Sequence, residues 1–76
     1  MDVAKLLKMA NQVGTFFEAY PDQAAAADET AAHLRRFWTP AMRSQLLECL
    51  EVTRGEGASP LVLEAARRLR EGTSKA

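Results

Sequence analysis

The chain has 76 residues, which is enough for one small domain but not for two. Apolar residues make up 47% of the chain and charged residues 26%, a composition typical of a folded protein that argues against disorder. Ten cations balance ten anions, so a general electrostatic affinity for nucleic acid is not expected, and the single Cys49 excludes an internal disulfide.

Residues 2 to about 20 are predicted to form the first helix. Its apolar stripe has helical spacing and comprises Val3, Leu6, Leu7, Ala10, Val13, Gly14 and Phe17. Met9, Phe16 and Tyr20 lie beside this stripe and widen it beyond the ~100° that a surface helix usually needs. We interpret this excess of apolar surface as a sign of a second contact, and Pro21 ends the helix.

The second helix is predicted to begin at Asp22, a candidate N-cap. Its stripe comprises Ala24, Ala27, Ala31, Leu34 and Trp38, with Phe37 alongside. Thr39 and Pro40 predict that the second helix ends and a third helix begins at once, because Thr39 can cap a helix that has Pro40 at its first position. The inward residues of that third helix are predicted to be Met42, Leu46, Cys49 and Leu50, with Leu47 adjacent and an end near Thr53.

The glycine-containing segment "RGEGASP" ends in the same capping pattern, with Ser59 as cap and Pro60 at the first position of a fourth helix. That helix directs Val62, Ala65, Ala66 and Leu69 inward, leaves Leu61 and Leu63 off the stripe, and ends near Gly72. The predicted fold is therefore all-α: a small orthogonal or bundle-like domain of about four helices over residues 1–72, followed by a frayed tail at 73–76.

The sequence contains few residues of the types that form metal-binding or catalytic sites. His33 and Cys49 are sixteen positions apart, whereas structural zinc sites use four ligands in short paired spacings. A thin helical domain rarely encloses a pocket that could support a Cys–His nucleophile, and the acidic residues have no apolar surroundings that would tune a pKa. We predict no catalytic, no cofactor-binding and no metal-binding residue in this chain.

Two features of the sequence concern location. The apolar runs are much shorter than a bilayer span. The N-terminal segment "MDVAKLLKMANQ" lacks the uninterrupted apolar stretch of a signal peptide. We therefore expect a cytoplasmic protein that does not bind to a membrane.

Residues 33–47, "HLRRFWTPAMRSQLL", contain three arginines and no acid. A DNA-binding helix pair is one interpretation of this segment. However, the flanking segments 20–32 and 48–58 carry net charges of −3 and −2, which would repel phosphates. Nucleic acid is therefore not the partner that the segment favours.

The arginines have a structural explanation only in part. Arg35 and Arg36 lie near the end of the second helix, where cations complement the helix dipole. Arg43 lies in the first turn of the next helix, where a cation is mildly unfavourable. Arginine together with Phe37 and Trp38 is the composition of the centre of a protein–protein interface.

Three segments, "MANQVGTFFEAYPD", "AAHLRRFWTPAMRSQLL" and "GEGASPLVLEA", in this order and at these spacings, resemble the delta subunit of the NAD-dependent, molybdopterin-containing formate dehydrogenases of bacteria. The resemblance spans roughly residues 3–66. Ala41 and Ala58 depart from it, since the family usually has a basic residue and a larger apolar residue at these two positions.

The resemblance implies an accessory subunit that binds no cofactor itself and helps to assemble or stabilise a large complex. In that family the complex oxidises formate to CO₂ and reduces NAD⁺. Its large molybdopterin catalytic subunit holds a molybdenum bis-pterin centre and iron–sulfur clusters, and its NAD-reducing subunits hold FMN. These subunits are the implied partners.

We therefore predict that the arginine–tryptophan turn docks on the large catalytic subunit. The predicted contact residues are Asn11, Gln12, Phe16, Tyr20, His33, Arg35, Arg36, Phe37, Trp38 and Arg43. Two alternatives remain at this stage. One is a transient assembly or maturation chaperone for the same enzyme, and the other is a small nucleic-acid-binding regulator.

Overall fold

Four α-helices contain most of the chain. The structure, a computed structural model, describes residues 2–74. Its helices are α1 (Val3–Phe17), α2 (Gln23–Phe37), α3 (Pro40–Thr53) and α4 (Pro60–Ser74), and no strand occurs among the described residues. The predicted all-α, four-helix fold is confirmed.

The last helix runs further than the sequence indicates. The end of α4 was expected near Gly72, but the helix continues to Ser74, so it includes the first two positions of the predicted tail 73–76. The other two positions, 75 and 76, lie outside the described residues.

Side-chain caps set the start of each helix. Asp2 and Asp22 each accept a hydrogen bond of 3.0 Å from the backbone N–H two residues later. Thr39 and Ser59 each accept one from the N–H three residues later, at 3.1 and 3.3 Å. Each such cap stabilises a helix by about 0.5–2 kcal/mol. The three predicted caps, at positions 22, 39 and 59, are confirmed.

The main core lies where the four helices meet. Its buried members are Leu6, Ala10, Ala31, Leu34, Trp38, Leu46, Leu50, Val62, Ala65, Ala66 and Leu69. Ala31 of α2 and Ala65 and Ala66 of α4 are at most 1% exposed, and their small side chains let these two helices approach each other closely. The inward stripe predicted for α4 is confirmed.

The buried face of α2 is wider than its periodicity indicates. Ala24, which was expected to point inward, is exposed, whereas Ala26 and Thr30 are buried. The Thr30 hydroxyl donates to the Ala26 carbonyl at 2.8 Å, so its burial leaves no unsatisfied polar group. The reason is that α2 packs against both α1 and α4, and two neighbours cover a broader arc than one stripe.

A second, smaller cluster closes the other end of the helix pair α1 and α2. It consists of Phe17, Ala26, Ala27 and Leu61, with Val13 packed against it. The position of Leu61 corrects the sequence prediction, which left this residue off the inward stripe of α4. The start of α4 contacts the end of α1, and this contact buries a side chain that points away from the main core.

Candidate protein-binding surface

Aromatic rings from α1 and α2 form one continuous row. Phe16 stands edge-on to Phe17, with ring centroids 5.0 Å apart. Phe17 contacts His33 of α2 at 6.0 Å, and His33 lies 4.7 Å from Phe37. Tyr20 joins the row from the turn after α1, 5.6 Å from Phe17. We call Phe16, Tyr20, His33 and Phe37 the aromatic surface.

The ends of this row are open to solvent. Phe16 is 72% exposed and Phe37 66% exposed, whereas Phe17 between them is only 8% exposed. Phe17 therefore belongs to the fold and serves as the platform on which the exposed rings rest. Large exposed aromatic side chains that lie together are characteristic of surfaces that another protein covers.

The arrangement of α1 and α2 brings these rings together. Phe17 at the end of α1 packs against Ala26 near the start of α2, whereas Met9 and Trp38 meet at the opposite end of the pair, so the helices run antiparallel. His33 and Phe37 are one helical turn apart and therefore share a face of α2.

A groove follows the seam between the two helices. The α1–α2 groove is lined by Met9, Gln12, Val13, Phe16, Phe17, His33 and Trp38. A second recess lies on the outer side of α2 and is lined by Phe17, Glu29, Ala32, His33, Arg35, Arg36 and Phe37. The two recesses share Phe17 and His33, so they form one continuous open surface.

Two of the three arginines predicted to contact a partner act within the fold. Arg35 Nη2 donates to the carbonyl of Arg68 in α4 at 2.9 Å. Arg43 Nη1 donates to the carbonyl of Arg35, in the last turn of α2, at 2.8 Å. Arg43, which the helix dipole left unexplained, therefore satisfies a carbonyl at the end of the preceding helix. Arg36 is exposed, and its side chain forms no hydrogen bond or ion pair with any residue between 2 and 74.

Trp38 and Asn11 also have structural roles. Trp38 is 7% exposed and belongs to the main core, so only an edge of it reaches the groove. The Asn11 amide bridges to the α3–α4 loop: its Nδ2 donates to the Gly57 carbonyl at 2.9 Å, and its Oδ1 accepts from the Ser59 N–H at 3.0 Å. Gly57 has φ +88°, a backbone conformation that favours glycine.

The predicted contact residues thus divide into two groups. Gln12, Phe16, Tyr20, Arg35, Arg36 and Phe37 are exposed, and His33 is half-buried among them. Asn11, Trp38 and Arg43 are held by contacts within the fold, and so is the exposed Arg35 through its hydrogen bond to α4. Sequence reasoning missed Val13 and Glu29 as members of this surface. Glu29 could have been found, because it lies four residues before His33 and seven before Arg36 on one helix face.

The structure also locates the side chains that could bind a metal ion. Between residues 2 and 74 there is no group of three or more His, Cys, Asp or Glu side chains that could hold a metal ion. His33 and Cys49 line different recesses, on α2 and α3 respectively. No helix in the described part of the chain combines the length and apolar character needed to cross a membrane.

Charge pairing is concentrated on α4. Arg67 pairs with Glu64 and with Glu71, and Arg68 pairs with Asp28 of α2 at 2.5 Å. The hydrogen bond from Arg67 lowers the pKa of Glu64, and the same contact raises the pKa of Arg67. Both groups are solvent-exposed, so this pair is an ordinary surface ion pair rather than a tuned catalytic group.

A known protein family matches most of the chain. The family model described as NADH-dependent formate dehydrogenase delta subunit FdsD matches residues 5–66. The match includes α2 and α3 entirely and most of α1, and it extends into α4 as far as Ala66. No curated protein and no solved structure matched.

Proposed function

Because this chain belongs to the family of NADH-dependent formate dehydrogenase delta subunits, we propose that it is a permanent, non-catalytic accessory subunit of such an enzyme. In this proposal it binds the large catalytic subunit through the aromatic surface and stabilises the assembled complex. The observation that carries the proposal is the exposure of Phe16 and Phe37 at the two ends of one continuous row of rings.

The energetic argument rests on which side chains a partner can cover. Exposed aromatic residues that share a rigid platform dominate many interfaces, because they bury a large area and lose little side-chain entropy. Phe17 supplies the platform, since it is fixed in the smaller core cluster. A protein that binds only the folded form of its partner stabilises that partner by about 2.7 kcal/mol when its free concentration is a hundred times the Kd.

The proposal leaves the redox chemistry to the partner subunits. A molybdenum bis-pterin centre, iron–sulfur clusters and FMN would all be held by those subunits. The residues described here do not fit such groups: His33 is packed between two phenylalanine rings, and the lone Cys49 has no second thiol near it to bind a cluster. In this proposal the chain contributes binding, and the partner subunits contribute catalysis.

The aromatic surface favours protein over nucleic acid. Of the three arginines in residues 33–47, only Arg36 has a side chain without a hydrogen-bond or ion-pair partner among residues 2–74, and Glu29 lies in the same recess. A single free cation beside a carboxylate is a weak electrostatic attraction for a polyanion. We therefore do not favour the nucleic-acid-binding alternative.

The test is co-purification of the chain with its large catalytic subunit after co-expression. Phe16→Ser and Phe37→Ser should each weaken binding by at least about 10-fold, because each removes a large exposed anchor. The matched control is Val52→Ser on α3, which alters a side chain that is 78% exposed but lies outside the aromatic surface. Trp38→Ala is unsuitable, because it would create a cavity in the core.

Two results would overturn the proposal. One is wild-type chain that does not co-purify with the catalytic subunit. The other is phenylalanine variants that bind as well as the Val52→Ser control and support formate oxidation by NAD⁺ at the wild-type rate. Size-exclusion chromatography of the native complex separates a permanent subunit from a transient chaperone, since only a subunit stays in stoichiometric amount.

A further inference from the structure

The α1–α2 groove has the shape that accepts another helix. Its two walls are the exposed flanks of an antiparallel helix pair: Met9 and Phe16 stand on one wall, and His33 stands on the other, with Trp38 at the end of α2. Met9 and Phe16 are two helical turns apart, about 10 Å along α1. A helix that lies along such a seam can place apolar side chains at i, i+3, i+4 and i+7 into it.

Charges of opposite sign lie on α2 in the recess that adjoins the groove and shares Phe17 and His33 with it. Glu29 and Arg36 are both exposed, and neither forms an ion pair with any residue between 2 and 74. They are seven residues apart, which also corresponds to about 10 Å along a helix. This recess therefore presents an anion at one end and a cation at the other, on either side of His33.

This order of charges determines the chemistry of the occupant. A carboxylate fits opposite Arg36, because a guanidinium can hold it with two parallel hydrogen bonds. A cation fits opposite Glu29. A helix inserted in the reverse direction would place like charges together, and like-charge contacts at an interface are strongly unfavourable.

We propose that an amphipathic helix of the catalytic subunit occupies the α1–α2 groove, with a carboxylate that faces Arg36 and, two turns away, a cation that faces Glu29. This inference rests on the proposed function and adds to it the chemistry of the partner segment. The aromatic surface supplies the binding energy, and the two charges set the orientation.

The first test measures the affinity of the purified chain for the purified catalytic subunit at low and at physiological salt. Arg36→Gln and Glu29→Gln should each weaken binding about 2- to 5-fold and reduce its dependence on salt. The double reversal Glu29→Arg with Arg36→Glu should weaken it by about 10-fold or more. Neither side chain has a partner within the described fold, so the variants should remain folded, and circular dichroism checks this.

Matched controls remove one cation and one anion at positions outside the two recesses. Lys8→Gln removes an exposed cation of α1 that lines neither recess, and Glu56→Gln removes an exposed anion of the α3–α4 loop. Both controls should bind like the wild-type chain. Charge variants at 29 and 36 that equal these controls, while Phe37→Ser still weakens binding, would overturn this inference and leave the proposed function intact. Wild-type chain that does not bind at all would overturn both.

The second test identifies the occupant directly. A photoreactive phenylalanine analogue at position 16, which lines the groove, is cross-linked in the purified complex, and the captured peptide is sequenced by mass spectrometry. The expected peptide carries helix-spaced apolar residues with an acid and, about seven positions away, a base. A captured peptide from the catalytic subunit without these charges, or capture of a second copy of this chain, would contradict the inference.

Discussion

Asn11 uses both ends of its amide to hold the loop between α3 and α4. It donates to the Gly57 carbonyl at 2.9 Å and accepts from the Ser59 N–H at 3.0 Å, across 46 and 48 positions of the chain. The second bond holds the backbone of the residue that caps α4. At the scale of single residues, this side chain therefore belongs to the fold, although its sequence context favoured a role at an interface.

Asn11→Ala should lower the free energy of unfolding by about 1–2 kcal/mol, because two hydrogen bonds are lost and a loop carbonyl and N–H lose their partner. Urea denaturation followed by circular dichroism measures this. Gln12→Ala is the control, since the neighbouring Gln12 is exposed and should change stability very little. Equal effects of the two substitutions would show that Asn11 does not support the loop.

At the scale of elements, the contact between α2 and α4 depends on small side chains. Ala31 of α2 and Ala65 and Ala66 of α4 are buried in the same cluster, and each is at most 1% exposed. Arg35 and the pair Arg68–Asp28 add polar links between the same two helices. Because the alanines leave no free volume, a larger side chain must push the helices apart.

Ala31→Leu should destabilise the protein by about 1–3 kcal/mol through overpacking. For a domain of this size, each 1 kcal/mol corresponds to a fall in Tm of about 4–8 °C. Ala32→Leu is the matched control, because Ala32 is the next residue on the same helix and is exposed. Thermal unfolding compares the two, and equal melting temperatures would mean that α2 and α4 are not closely packed.

At the scale of the whole molecule, the apolar residues separate into a core and a surface that the core does not need. A domain of this size gains no more than about 3–5 kcal/mol from one hydrophobic core. Phe16 and Phe37 contribute little to that core, since each leaves most of its ring in solvent. Their presence is therefore better explained by a partner than by folding.

The double variant Phe16→Ser with Phe37→Ser should change the free energy of unfolding of the isolated chain by less than about 1 kcal/mol. Phe17→Ser, which alters the buried platform between them, should instead remove about 3 kcal/mol or more. Urea denaturation measures both values. If the double variant unfolds as easily as Phe17→Ser, the aromatic surface is part of the core and is not available to a partner.

Local interactions in the sequence determined where the helices lie. Three kinds of feature were predicted correctly: the caps at 22, 39 and 59, the prolines at 40 and 60, and the inward stripe of α4. Each depends on residues that follow one another within four positions, so the sequence pattern indicates it directly. Family membership was also legible, because the residues that carry it are spread along nearly the whole chain.

Only the tertiary structure decided which side chains remain available to a partner. Phe37 and Trp38 are adjacent in sequence, yet one is 66% exposed and the other 7% exposed. Of the three arginines near them, two donate to backbone carbonyls, whereas the side chain of Arg36 has no partner among residues 2–74. The reason is physical: periodicity reports the faces of one helix, whereas burial and hydrogen bonding depend on the neighbouring helices, which packing brings in from distant parts of the chain.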